Sequence, residues 1–105
     1  MTTAKRLMEK YPNKIPIIIE GSRFFNLKHN IKHKKYMVSR DSSFIQFMLA
    51  VKLNIDTINA YDAIYFNTDK GVIFPSSQCI GDIYDNYKSE NDILYLYLTS
   101  ENTFG

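Results

Sequence analysis

Ile15-Pro16-Ile17-Ile18-Ile19-Glu20 and Ile93-Leu94-Tyr95-Leu96-Tyr97-Leu98-Thr99 are the stretches that decide the fold. Both are rich in β-branched, leucine or aromatic residues. Both are apolar on either side of the alternation, the pattern of strands buried on two faces. Pro16 has no amide to donate, which places it at the start of its strand. Two such strands belong at the centre of a sheet, and the remaining segments must cover them.

Outward from the first strand, Lys34 to Ser39 reads as a second strand, reached through an aperiodic connection, Gly21 to His33. A connection this long in a small domain is often functional or mobile. The basic neighbours of this strand suit an edge, where charge discourages pairing with another chain. Ser42 to Asn54 is the clearest helix. Ser43 and Gln46 fit a capping box, and Phe44, Phe47, Met48 and Val51 form one apolar stripe. Ala60 to Asn67 reads as a strand, Thr68-Asp69-Lys70-Gly71 as a turn, and Val72 to Phe74 as a short return strand. Ile80 to Tyr87 fits a short helix or a 3₁₀ turn. At the N-terminus, Thr2 to Lys10 places Ala4, Leu7 and Met8 at helical spacing, and Tyr11-Pro12 stops the helix. The expectation is an α+β domain with a four-stranded mixed sheet on one long helix. It is one domain over residues 1–105, with a short N-terminal helix at 1–10 and a flexible tail at 100–105.

Composition agrees with one globular unit. The chain has 105 residues, 45% hydrophobic and 23% charged, which is ordinary folded usage. The net charge of +2 is too mild to imply nucleic acid by itself. No apolar run approaches the roughly 18 residues of a membrane span. Met1 to Lys10 lacks the apolar stretch of a secretory signal. The single cysteine, Cys79, excludes an internal disulfide and favours a reducing compartment.

Catalytic chemistry finds little support. His29 and His33 are four apart, but no cysteine or carboxylate stands beside them, so solvated loop histidines explain them better than a metal site. Cys79 has no motif around it and reads as a small buried side chain. Asp82, Asp85, Glu90 and Asp92 read as solvated surface. The isolated glycines offer no phosphate loop. Lys28, Lys32, Lys34 and Lys35 form a basic run that suits an acidic partner or an anionic membrane. A solvated edge explains it equally simply. The end of the chain, Glu101-Asn102-Thr103-Phe104-Gly105, is the most unusual feature. A terminal glycine on a flexible tail can enter a narrow channel and be activated as an acyl group. Terminal glycine alone is weak, since average usage is about 7%. It gains weight beside a sheet-and-helix layout of the ubiquitin-like β-grasp kind.

Lys10-Tyr11-Pro12-Asn13-Lys14-Ile15-Pro16-Ile17-Ile18-Ile19-Glu20 resembles the opening signature of the autophagy ubiquitin-like modifiers, which include the GABARAP and light-chain-three proteins and their yeast counterpart. Lys34-Lys35-Tyr36-Met37-Val38 is similar to the second strand of that family, and Ser43 to Val51 to its central helix. Pro75, Gly81 and Tyr84, then Leu94-Tyr95 and the Glu101 to Gly105 ending, match in the same order. The resemblance runs through nearly the whole chain from about Leu7.

The resemblance implies a ubiquitin-like β-grasp fold and a protein that is not an enzyme and needs no cofactor or metal. An activating and a conjugating enzyme would pass Gly105, preceded by the recognised aromatic Phe104, to phosphatidylethanolamine. A cysteine protease would process and delipidate it. The protein would be cytoplasmic, and autophagosomal when lipidated. It also implies recognition of adaptor and cargo-receptor peptides carrying an aromatic residue, two variable residues and an aliphatic residue. Leu7, Pro16, Ile18, Lys35, Met37 and Ile93 would form the aromatic pocket. Tyr36, Val38, Phe47, Ala50 and Val51 would form the aliphatic pocket. Lys14 and Lys35 would meet acidic neighbours of the motif. For Phe47 and Ile18, plain core packing explains the residue as well as a binding role does.

Several positions depart from the family pattern. The family pattern has two N-terminal helices, and the ten residues before Tyr11 are expected to hold only the second; Ala50 replaces a larger apolar residue, and Asn54 stands where arginine is common. One extra residue falls in the Thr68 to Gly71 turn and another in the Gly21 to His33 loop. No residues follow Gly105 for a protease to remove. Two other functions compete. A ubiquitin-like binding module without conjugation would leave the tail dispensable. A small RNA-binding domain would use Lys28 to Lys35 and the eight tyrosines and seven phenylalanines. It would bind with steep salt dependence, and no glycine-aromatic RNP motif supports it.

Overall fold

The structure, a computed structural model, describes residues 3–22, 31, 33–55, 64–68 and 70–100, with backbone alone at 3, 4 and 100. The elements in chain order are α1 (Thr3–Lys10), β1 (Lys14–Gly21), β2 (His33–Ser39), α2 (Phe44–Asn54), β3 (Ile64–Asn67), α3 (Ile80–Tyr87) and β4 (Leu94–Ser100). The strands form one mixed sheet in the order β2-β1-β4-β3. β1 pairs with β4 in parallel and with β2 antiparallel, and β3 pairs with β4 antiparallel. The two strands expected at the centre are there, and β2 is at an edge.

Alternation explains the placement. Ile15, Ile17 and Ile19 on β1 and Leu94, Leu96 and Leu98 on β4 are all at most 1% exposed. They meet Phe44, Phe47 and Val51 of α2 and Ile80 and Ile83 of α3 in one core cluster. Each such aliphatic side chain contributes about 1.5–3 kcal/mol on full burial. On the aromatic side of this core, Phe66 of β3 packs against both Phe44 and Phe47, with ring centroids 5.8 and 5.9 Å apart. The opposite face of β1 carries Pro16 and Ile18, and α1 packs on β1.

The start of α2 is locked twice. The Gln46 amide donates to Ser43 Oγ at 3.3 Å while the Ser43 amide donates to Gln46 Oε1 at 2.9 Å, completing the capping box. The segment before α2 then runs antiparallel to the segment before α3. The Phe44 amide donates to the Gln78 carbonyl, Ile80 to Ser42 and Gly81 to Arg40. The Arg40 guanidinium reaches Asp85 at 2.6 Å. Gly81 is needed for this approach, because a Cβ there would lie 2.9 Å from the Arg40 carbonyl oxygen.

Several expectations need correction. The segment Val72 to Phe74 is not a return strand; it makes one isolated bridge, Asn67 to Ile73. Thr68 Oγ1 accepts from the Lys70 and Val72 amides, and Gly71 turns at φ +79°. These bonds hold the turn locally and do not extend a ladder. The third strand covers only Ile64–Asn67 among the described residues, and 60–63 lie outside them. β1 starts at Lys14, one residue earlier than expected, so Pro16 is its third residue. It lies ahead of the ladder with β4, which begins at Ile17 opposite Leu94. Cys79 is exposed, not buried. Its backbone bridges Ser43 and caps α3, which leaves the side chain outside. Asp85 is paired with Arg40, and Asp92 lies 3.9 Å from Lys5, so those two carboxylates are more than solvated surface. Ile80–Tyr87 is an α-helix.

Two glycines separate crowding from backbone strain. Gly81→Ala should lower stability by about 2–3 kcal/mol, because the added methyl overpacks against fixed backbone. Gly71→Ala should cost only about 1 kcal/mol from its left-handed conformation, since nothing lies within 4 Å of its Cβ position. Urea midpoints of the two variants measure this. A larger loss at Gly71 contradicts the assignment.

Candidate functional site

The pleat of β2 sorts the predicted residues onto two sides of one edge strand. Lys35 is opposite Ile18 and Met37 opposite Pro16, on the face toward α1. Tyr36 is opposite Ile17 and Val38 opposite Ile15, on the face toward α2. The two sets therefore flank the backbone of β2, whose outer hydrogen-bonding edge has no neighbour in the sheet among the described residues.

On the α1 side there is a cavity of about 250 Å³. It is lined by Leu7 of α1, Pro16 and Ile18 of β1, Lys35 and Met37 of β2, and Ile93 just before β4. Ile17 and Tyr36 also border it. All six residues of the predicted aromatic set thus meet in one cavity. An apolar cavity of roughly 150 Å³ holds benzene, so this one has room for a bicyclic aromatic side chain. Tyr36 belongs to both sides of the strand, which alternation alone did not reveal.

The other predicted set is less open. Val51 and Phe47 are 0% and 3% exposed, so they sit in the core beneath the surface. Tyr36 packs edge-on against Phe47 at 5.7 Å. Tyr36 and Val38 are half-buried, and Ala50 is exposed on α2. Tyr36 and Val38 pack against the core cluster that holds Phe47 and Val51.

Lys14, His33 and Lys35 are exposed along this side. Lys14 lies over the Tyr11 ring, 5.8 Å from its centroid, as does Lys10 at 5.5 Å. Neither Lys34 nor Lys35 is in an ion pair among the described residues. Lys28, His29, Lys32, Phe104 and Gly105 lie outside the described residues. Among the described residues no group of three or more His, Cys, Asp or Glu could hold a metal, and no helix is long and apolar enough to cross a membrane. A roomier cleft of about 350 Å³ lies among Thr68, Lys70, Lys88, Tyr95 and Tyr97. None of the predicted residues reaches it.

Tyr84, 1% exposed, belongs to the core cluster. Its hydroxyl donates to the Asp92 carbonyl at 2.8 Å and lies 3.2 Å from Met8 Sδ. Sequence reasoning noted Tyr84 only as part of the resemblance. The helical spacing of Ile80, Ile83 and Tyr84 was the signal that could have shown its burial.

Comparison with known proteins fits this geometry. The family description "Autophagy protein Atg8 ubiquitin like" matches residues 1–105. The chain belongs to the Atg8 family. It is similar to Autophagy-related protein 8e of Arabidopsis thaliana, 35% identical over 102 residues, covering 97% of this chain and 81% of that protein. Among solved structures it resembles Trypanosoma brucei ATG8, with a TM-score of 0.81 at 30% identity, over 97% of this chain and 85% of that one. It also resembles Plasmodium falciparum Atg8, solved in complex with a Plasmodium falciparum Atg3 peptide. That match has a TM-score of 0.77 at 27% identity, over 93% of this chain and 85% of that one. The Atg8 fold is thus the α+β ubiquitin-like fold expected from the sequence. Atg8 proteins are non-enzymatic ubiquitin-like modifiers of autophagy, and so is this chain.

The buried phenol gives a pH prediction. Burial raises the Tyr84 pKa above the usual tyrosine value, Asp92 and Asp85 add to this, and Arg40 opposes it. The fold therefore favours the neutral phenol. That contribution is complete below about pH 10, where an unfolded tyrosine titrates, and is lost as pH rises through the higher folded value. Tyr84→Phe removes it. Urea unfolding at pH 8 and pH 11 should show a smaller alkaline loss in the variant than in the parent. Equal losses contradict the assignment.

Proposed function

We propose that this Atg8 protein is joined through Gly105 to phosphatidylethanolamine, and that it docks short aromatic-x-x-aliphatic peptides along β2. The observation that carries the docking reading is the 250 Å³ apolar cavity beside an open strand edge. A peptide added as a strand gains main-chain hydrogen bonds, while side chains on either face enter separate pockets. The aromatic residue would enter the cavity, and the aliphatic one would rest on Tyr36, Val38 and Ala50 above Phe47 and Val51. Lys14 and Lys35 would attract acidic flanking residues. Exposed pairs of that kind are worth about 0–1 kcal/mol each, so burial of the aromatic anchor sets most of the affinity.

Family membership supports the conjugation reading. In it, the Gly105 carboxylate attacks the α-phosphate of ATP on an activating enzyme, releasing pyrophosphate. A cysteine thiolate of that enzyme displaces AMP to give a thioester. Transfer to a second thiol on the conjugating enzyme follows. The lipid amine then attacks the thioester carbonyl, forming an amide and freeing the thiol. Gly105 has no side chain to obstruct these attacks. Each buried methylene of the lipid contributes about 0.8 kcal/mol, and two acyl chains anchor far better than one. The Plasmodium falciparum relative in complex with an Atg3 peptide supports a conjugating enzyme as one of the docked partners. A processing and delipidating cysteine protease, adaptors and cargo receptors complete the set. The protein would then be cytoplasmic, and on autophagosomal membrane once lipidated.

Two measurements test the two halves. With activating and conjugating enzymes, ATP and phosphatidylethanolamine liposomes, intact mass should rise by one lipid. Deleting Gly105 should abolish the gain without unfolding the domain; a lipidated product from the deletion contradicts the donor assignment. Tyr36→Ala with Met37→Ala should weaken calorimetric binding of an acidic Trp-x-x-Leu peptide about tenfold or more, in line with loss of an interface anchor. Unchanged affinity contradicts the assigned surface.

A further inference from the structure

Six residues bordering the aromatic cavity, Pro16, Ile17, Ile18, Lys35, Tyr36 and Met37, are held by the β1–β2 ladder. Two are not. Leu7 stands on α1, and Ile93 precedes the first residue of β4 in the turn after α3. Something other than the sheet must hold these two walls in place.

We infer that the Tyr84 hydroxyl is the positioning group that joins them, an inference that rests on the cavity taking an aromatic peptide side chain. Tyr84 does not border the cavity; it is fixed on α3 in the core. Its single hydroxyl proton goes to the Asp92 carbonyl at 2.8 Å, the stronger acceptor, and the Met8 thioether touches the same oxygen at 3.2 Å. Asp92 immediately precedes Ile93, and Met8 immediately follows Leu7. One oxygen therefore contacts the chain neighbours of both walls that lie outside the ladder.

The turn at Asp92 needs such a tie. Asp92 has φ +63°, a conformation uncommon for a residue with a side chain. The rest of the turn closes on itself. Ser89 Oγ donates to the Ile93 carbonyl at 2.7 Å, and the Ser89 amide donates to the same oxygen at 2.8 Å. The Tyr84 hydroxyl ties the Asp92 end of this closed turn back to α3. The Lys5–Asp92 pair at 3.9 Å is a secondary link, because its lysine is largely exposed.

The test compares Tyr84→Phe, which removes only the oxygen, with the parent and with Lys5→Ala. Binding of an acidic Trp-x-x-Leu peptide is measured by calorimetry, and amide exchange at Leu7 and Ile93 is measured in the free proteins. The phenyl ring stays in the core, and a thermal melt verifies folding. The expected result is about fivefold weaker binding in Tyr84→Phe, the size of one lost neutral hydrogen bond. Exchange at Leu7 and Ile93 should quicken together, with no change at Lys35 or Met37. Lys5→Ala should stay within about twofold of the parent. A purely structural tyrosine would lower the melting temperature and leave affinity and the two amides alone, which overturns the inference. If the parent itself does not bind the peptide, the docking reading falls. The exchange data then decide separately whether Tyr84 holds the two walls.

Discussion

β1 and β4 lie side by side in parallel, and each carries apolar side chains on alternating faces. The aliphatic face of this central pair cannot be left to water. Ile15, Ile17 and Ile19 with Leu94, Leu96 and Leu98 are covered by α2 and α3. Pro16 and Ile18, on the other face, lie beside α1. A parallel pair also requires a long crossover, so β2, α2, β3 and α3 all fall between β1 and β4 in the chain. With β1 and β4 at the centre, β2 and β3 are edges by necessity. The cavity follows from the same arrangement, because α1 covers β1 without reaching across Lys35 and Met37. Its apolar floor is the part of the two-faced β1 that α1 leaves uncovered.

Most of this architecture was legible because hydrophobic burial writes a strong pattern. Continuous apolar runs marked the central strands, and the Ser43–Gln46 capping box marked the cap of α2, whose first helical residue is Phe44, two past the Ser42 start that was expected. The basic residues at Lys34 and Lys35 marked the edge. The errors arose where backbone chemistry outweighed side-chain pattern. Val72 to Phe74 has the composition of a strand, yet Thr68 Oγ1 holds two of the amides around it in a turn. Cys79 is a residue type often found buried, yet its place ahead of α3, bridged to Ser43, turns it outward.

The cavity was legible only through the resemblance. Leu7, Pro16, Ile18, Lys35, Met37 and Ile93 come from four separate segments, and no spacing rule brings them together. The role of the Tyr84 hydroxyl was invisible to pattern for a further reason. It lies in contacts with Met8 and Asp92, far apart in sequence, that only tertiary packing creates. Exposed Ile45, Leu49 and Leu53 on α2 illustrate the converse. The helix has apolar residues on its outer side as well, so apolar content by itself did not mark which face meets the sheet.

The account holds that the free edge of β2 is the line along which a peptide docks. The most direct measurement is residue-resolved amide exchange of the full chain with and without an acidic Trp-x-x-Leu peptide. The account predicts new protection at alternate amides between His33 and Ser39, those pointing away from β1, while amides bonded to β1 change little. Protection confined instead to the Thr68, Lys70 and Tyr97 cleft, or absent from β2 while the peptide binds, would contradict it.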